Sequence, residues 1–230
     1  MTPEIRVVSC TRSTNADLRE LAEQGAAHGT AVRAREQTAG RGRLGRVWVT
    51  APDEALLMSV LIRRPIDASR VPLLALTTAV AVSDAVDGLQ IKWPNDLLCP
   101  VGRKVSGILC EAEFLQGRLD FAVIGIGLNV HGHPNISGST CLGDAFPDST
   151  WSVPILAERV RRCVLQRVRE LHGDVQPVLA DWRSRAHTLG RLVSVAGLRG
   201  RAVDIDDDGA LLIETGGGIR RVLAGDVNLA

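Results

Sequence analysis

Gln37–Trp48 reads QTAGRGRLGRVW, with Gly40, Gly42 and Gly45 alternating with Arg41, Arg43 and Arg46. Glycine permits positive φ and close backbone approach, so this segment can bend tightly around a bound group. Arginine brings a fixed charge and a planar fork of donors that suits carboxylate and phosphate. Between residues 33 and 46 there are five arginines and one glutamate, a local balance of +4 in a chain whose total is +1. Such a loop is built to close over an anion. A solvated basic loop or an arginine–glycine contact to nucleic acid is the competing reading, and the rest of the chain decides between them.

The chain has 230 residues, 45% hydrophobic and 23% charged, enough for one large domain or one large plus one small. A net charge of +1 and a pI near 7.7 argue against a dedicated DNA-binding protein. The start, MTPEIRVVSC, has no cationic segment leading into an apolar one, so no signal peptide is expected. No apolar run reaches the roughly 18 residues a membrane helix needs, because Val71–Val86 is interrupted by Thr77, Thr78, Ser83 and Asp84. The five cysteines are widely spaced without a CxxC pair, as in reduced cytoplasmic proteins, and none pairs with histidine at zinc spacing.

Along the chain, Ile5–Ser9 reads as a strand and Thr11–Gly25 as a helix, capped by Ser13 or Thr14 with Asp17 completing an approximate capping box. Ala31–Ala34 is a strand leading into the loop. The unbroken apolar run Ala55–Ile62 is a buried strand, Val71–Val86 a buried helix, and Ile91–Trp93 a short strand ending at Pro94. Val105–Phe114 and Phe121–Leu128, joined at Gln116-Gly117, form an antiparallel hairpin. Residues 131–150 read as surface loop, Val153–Leu171 as an amphipathic helix and Val175–Arg185 as another. Beyond Gly190 come four short strands, at 192–195, 202–205, 210–213 and 220–223. They make a small barrel-like unit that needs to dock on the larger domain.

Four further clusters carry chemistry. Ser13-Thr14-Asn15 sets hydroxyls and an amide at a helix start, suited to a small neutral polar group or merely to capping. Lys92-Trp93-Pro94-Asn95-Asp96 places a cation, an amide and a carboxylate around a proline. Asp96 there can take Mg²⁺ directly or through water. In Gly102–Leu109, Lys104 enters an apolar strand and needs either an anionic partner or an exit to solvent. In Gly125-Ile126-Gly127-Leu128-Asn129, two glycines inside a strand imply that another backbone or a flat ligand approaches closely. That run lacks the Rossmann spacing, and no P-loop occurs anywhere in the chain.

These clusters in this order (STN, QTAGRGRLGRVW, KWPNDLL, GRKVSGIL, GIGLNV) resemble the biotin–protein ligase family over nearly the whole chain. The resemblance implies an α+β fold: a mixed, largely antiparallel sheet with flanking helices, like the class II synthetases, plus a small C-terminal SH3-like β-barrel. It implies a catalytic domain over 1–188 and the small domain over 189–230. The implied reaction uses biotin and MgATP to form biotinoyl-5′-AMP, then acylates a lysine of a biotin carboxyl carrier protein. Matched residue by residue, Ser13, Thr14, Asn15, Gln37, Gly40, Arg41, Gly42, Arg43, Lys104 and Gly107 fall at biotin-binding positions. Arg43, Arg46, Trp48, Lys92, Asn95 and Asn129 fall at ATP or adenylate positions, with Asp96 toward Mg²⁺. Lys104, Arg41 and Arg43 fall at the catalytic positions. Leu109 and Ile126 are expected to wall the valerate tail.

Relatives with a transcriptional role carry a preceding helix-turn-helix domain. This chain has only a dozen residues before Ser13, so no specific DNA binding is expected. A cytoplasmic monomer or weak homodimer without a membrane partner is implied. Some relatives end on a basic residue that reaches the nucleotide, and Ala230 cannot. The rival readings are a lipoate or octanoate ligase of related fold, a nucleic-acid module using the arginine loop, and a sensor that binds the adenylate without transferring it. Near-zero net charge and the absence of tyrosine count against the nucleic-acid module.

Overall fold

Every residue of Ala55–Ile62 is buried, and the two faces of this strand divide the large domain. The computed structural model describes residues 4–134 and 136–229. Ala230, with the question it raised about the nucleotide, lies outside them. The elements in order are β1 (Ile5–Thr11), α1 (Thr14–Glu23), β2 (Ala31–Gln37), β3 (Ala55–Ile62), α2 (Leu73–Ala85), β4 (Gln90–Lys92), β5 (Asp96–Leu98), β6 (Lys104–Leu115), β7 (Arg118–Asn129), α3 (Leu142–Ala145), α4 (Val153–Glu170) and α5 (Gln176–Ser184). The small unit holds β8 (Leu192–Val195), β9 (Leu198–Ile205), β10 (Leu211–Thr215), β11 (Gly218–Val222) and β12 (Asn228–Leu229).

The first sheet runs β1-β2-β3-β7-β6-β5-β4. Only β1 and β2 pair in parallel, so the sheet is mixed and largely antiparallel, as expected. Side chains alternate across a strand, and β3 uses both faces. Leu56, Met58, Val60 and Ile62 join the main core with α2 and α4, whereas Leu61 packs with Leu18 and Ala22 of α1, Val32, Phe121 and Val123. Helix α2 is buried nearly all round, which is why its sequence shows no polar face. Helix α4 buries Leu156, Val160, Val164 and Val168, one stripe at helical period.

Several local expectations change. Thr11 belongs to β1 and the helix starts at Thr14. The capping box does not form. Ser13 makes no side-chain cap, and the carboxylate of Asp17 accepts from the Thr11 hydroxyl at 2.9 Å. The cap fails because the Thr14 side chain is engaged across the sheet. The turn after Trp93 is a hairpin, with β5 returning against β4, and the Trp93–Pro94 peptide is cis. The segment 131–150 contains the single turn α3.

The C-terminal unit is an antiparallel five-stranded sheet in the order β11-β10-β9-β8-β12, one strand more than the sequence pattern gave. It docks on the large domain through buried contacts. The Trp93 indole N–H donates across the junction to the Gly209 carbonyl at 3.0 Å, and its backbone N–H donates to the hydroxyl of Thr188, just before the small unit, at 2.8 Å. Trp93 is 1% exposed. Trp93→Ala is therefore expected to cost about 3–5 kcal/mol, read by urea unfolding. A cost near zero would show that the two units do not depend on this anchor. Among the described residues no helix is long and apolar enough to cross a membrane.

Candidate active site

Strand register builds the floor of the site. Leu57 of β3 lies opposite Gly127 of β7, which lies opposite Gly107 of β6. In the next row Ser59 faces Gly125, which faces Leu109. These residues share the α1 face of the sheet, since each strand alternates in phase. The glycines are small because side chains from elsewhere lie on them. A Cβ on Gly127 would stand 2.5 Å from the Trp48 ring, one on Gly107 3.1 Å from it, and one on Gly125 2.3 Å from Asn15 Oδ1. The flat group expected over the strand glycines is thus, in this structure, the indole of the arginine loop itself. Gly127→Ala must displace Trp48, which sits on a loop, and not the buried strand. We expect the variant to keep its melting temperature within a few degrees while trypsin cleaves at Arg41, Arg43 or Arg46 several times faster. Unchanged cleavage would show that Trp48 does not hold the loop down.

The same face gathers a neutral polar cluster at one end. The Thr14 backbone N–H donates to Gln37 Oε1 at 2.8 Å, and the Thr14 hydroxyl lies 3.1 Å from that oxygen. The Ser59 hydroxyl lies 2.8 Å from Thr14 Oγ1 and 2.6 Å from Asn15 Oδ1. Asn15 Nδ2 donates to Glu111 Oε2 at 2.6 Å. Ser13, Thr14 and Asn15 are each about 95% buried.

The other end is charged. Lys104 Nζ meets Asp96 Oδ1 at 2.6 Å and stands 5.7 Å from the centre of the Trp48 ring, close enough for a cation–π contact. Arg43 donates to Asn95 Oδ1 at 3.0 Å and to the Gly225 carbonyl at 3.5 Å, and lies 4.0 Å from Asp226. Arg46 pairs with Asp226, and Arg41 with Glu111 at 2.9 Å. The loop closes on itself through Gly42 N–H to the Arg46 carbonyl (2.7 Å) and Trp48 N–H to the Gly40 carbonyl (3.0 Å). It turns at Leu44 and Gly45, both at positive φ. Asn95 is fixed in turn, because its Nδ2 donates to the Ile108 carbonyl at 2.8 Å.

Most of these residues line one cleft, neutral and polar at one end and charged at the other; Ser59 and Glu111 are not on its wall. Of the residues expected there, Ser13, Thr14, Asn15, Gln37, Arg41, Gly42, Arg43, Arg46, Trp48, Asn95, Asp96, Lys104 and Gly107 line it. Three others stand outside its wall. Gly40 packs under the Trp48 backbone. Lys92 pairs with Asp96 in the β4–β5 ladder. Asn129 is buried, with its Nδ2 donating to the Thr140 carbonyl at 3.0 Å. Ile126 borders the cleft but packs with the main core, so the apolar wall is Leu57 with Leu109.

Sequence reading missed Ser59, Glu111 and Leu57, and passed over Asp226. Ser59 alone left a trace, as the one polar residue in ALLMSVLI. Cys110, next to Glu111, offers no nucleophile, since burial pushes its thiol up to about 12. Among the described residues no cluster of three or more His, Cys, Asp or Glu could form a metal cage. Asp96 and Asp226 are the carboxylates on the cleft wall. One or two carboxylates completed by water and substrate phosphate are the set that Mg²⁺ takes, so the residues fit that ion and no all-protein site.

Comparison with known proteins agrees with this geometry. Residues 7–129 match the biotin/lipoate A/B protein ligase family and residues 188–229 the biotin protein ligase C-terminal domain. The chain is 36% identical to the biotin–[acetyl-CoA-carboxylase] ligase of Mycobacterium tuberculosis, over 97% of this chain and 88% of that protein. It is also 36% identical to the bifunctional ligase/repressor BirA of Bacillus subtilis, over 94% of this chain and 71% of that one. The structure of the Aquifex aeolicus biotin protein ligase in complex with biotin and ATP superposes with a TM-score of 0.80 at 26% identity, covering 99% and 98% of the two chains. A strand floor relieved by glycines, a closing arginine loop and a matching small C-terminal unit all point one way: the chain belongs to the biotin/lipoate A/B protein ligase family.

Proposed function

We propose that this chain is a biotin–protein ligase. It joins biotin to ATP, releasing pyrophosphate and forming biotinoyl-5′-AMP, and passes the biotinoyl group to a lysine of an acceptor carrier protein. The observation that carries the reading is the two-ended cleft. The Ser13–Thr14–Asn15–Ser59–Gln37 cluster offers uncharged donors and acceptors, which suit a neutral ureido ring. A dithiolane ring would offer these polar groups neither a donor nor a good acceptor, which disfavours the lipoate reading. Leu57 and Leu109 supply the wall for an aliphatic tail.

At the charged end, biotin's carboxylate oxygen attacks the α-phosphorus while the bond to pyrophosphate breaks. Two anions must approach, and Lys104, Arg41 and Arg43 offset their repulsion and the charge that develops between them. Asp96 would hold Mg²⁺, which supplies charge neutralisation on the phosphates. Arg46, Trp48 and Asn95 take the adenylate side, with Lys92 and Asn129 behind that wall. The closed loop keeps water from the mixed anhydride until the acceptor lysine arrives. We place the boundary between the catalytic and small domains at 188/189, and the protein, with its five free thiols, in the reducing cytosol. The acceptor is a biotin carboxyl carrier domain.

ATP–pyrophosphate exchange tests the reading. Exchange should require biotin and fail with lipoate. Exchange supported by lipoate in place of biotin would transfer the chain to the lipoate branch.

A further inference from the structure

We propose that the chain resists acylation by the adenylate it forms: it offers that reagent almost no lysine amine, and Asp96 holds the lysine in the cleft, Lys104, as an ammonium. The inference rests on the biotin reading, which makes the bound intermediate an acyl adenylate.

Of the 27 lysines and arginines in the chain, only Lys92 and Lys104 are lysines. An acyl adenylate is attacked by a free amine. The nitrogen lone pair forms the amide bond to the acyl carbon, the bond from that carbon to the phosphate oxygen breaks, AMP leaves, and the nitrogen gives up a proton to solvent. Arginine cannot take this part, because its guanidinium stays charged in proteins. Arg41 and Arg46 of the loop, and Arg12 next to Ser13, are exposed. They therefore place positive charge beside the cleft without placing a nucleophile there.

The two lysines neighbour one carboxylate. Lys104 Nζ lies 2.6 Å from Asp96 Oδ1, and Lys92 stands directly opposite Asp96 in the β4–β5 ladder, where cross-strand partners share a face. Lys104 is the one that needs guarding. Its side chain is 35% exposed and lines the cleft in which the mixed anhydride forms. As an ammonium it draws carboxylate and phosphate together; as a free amine it would attack their product. An ammonium has no lone pair, and to gain one Nζ must surrender a proton and with it the ion pair to Asp96. Asp96 acts here through Lys104 and is a positioning residue, in addition to its place beside the phosphates.

The test supplies ready-made biotinoyl-5′-AMP to the full chain, without acceptor, and reads acylation of each lysine by peptide mass spectrometry. Arg12→Lys adds one exposed amine beside the cleft at unchanged charge. Position 12 of that variant should carry about tenfold or more the label found on Lys104 of the unsubstituted protein. Asp96→Asn should raise the label on Lys104 about tenfold or more, the usual effect of one close opposite charge on the fraction of free amine. Arg43→Gly opens the lid but keeps Asp96, so Lys104 should stay at the level of the unsubstituted protein. Three results would each overturn the proposal: Lys104 labelled in the unsubstituted protein as fast as position 12 in Arg12→Lys, no rise in a folded Asp96→Asn protein, or an equal rise in Arg43→Gly. The comparison with Arg12→Lys decides the matter even where Asp96→Asn does not fold. Because the adenylate is supplied from outside, failure of biotin-dependent ATP–pyrophosphate exchange would count against the biotin reading and not against these outcomes.

Discussion

Lys104→Ala is expected to slow biotin-dependent ATP–pyrophosphate exchange about 10²- to 10³-fold, the usual loss for one preorganised group at a developing charge. The side chain is half-buried, paired with Asp96 at 2.6 Å and placed over Trp48, so its ammonium is held before any substrate arrives. Its backbone is secured separately. Lys104 N–H donates to the Gly138 carbonyl at 2.7 Å, and its carbonyl accepts from Thr140 N–H at 2.8 Å. The substitution therefore removes charge without releasing the start of β6. It also leaves Asp96 without its cation beside the phosphates, which adds to the repulsion that the attacking carboxylate must overcome. Near-normal exchange by a folded Lys104→Ala protein would remove Lys104 from the chemistry.

Arg43→Gly should instead damage retention more than the first step. Arg43 ties the loop both to the turn before β5, through Asn95, and to the C-terminal unit, through the Gly225 carbonyl and Asp226. Glycine removes all three contacts and adds backbone freedom to a segment that already has three glycines. Arg41 and Lys104 remain, so the adenylate still forms. The open loop becomes more populated and releases it. A free acyl adenylate acylates whatever lysine it meets. At equal adenylate production, Arg43→Gly should label an added non-substrate protein with biotin severalfold more than the unsubstituted enzyme does. Equal labelling would mean that Arg43 does not latch the lid.

The sequence alone carried the elements and the chemistry of the loop. Ala55–Ile62 and Val71–Val86 are legible because complete burial demands unbroken apolar runs, and the β6–β7 hairpin because Gln116 and Gly117 mark its turn. The arginine loop, Ser13-Thr14-Asn15 and the strand glycines were legible because each constraint lies within a few residues. Strand pairing decided the rest. Ser59 reaches Asn15 across 44 positions, Glu111 reaches Asn15 across 96, and Arg43 reaches Gly225 across 182. None of these separations leaves a local signature. A serine in an apolar strand or a glutamate in a hairpin reads the same on either face. Only the register, which packing sets over the whole sheet, chooses the face on which they meet. The tertiary structure likewise used the Thr14 hydroxyl across the sheet and not as a helix cap, because the buried bonds it makes there outweigh a cap that water can replace.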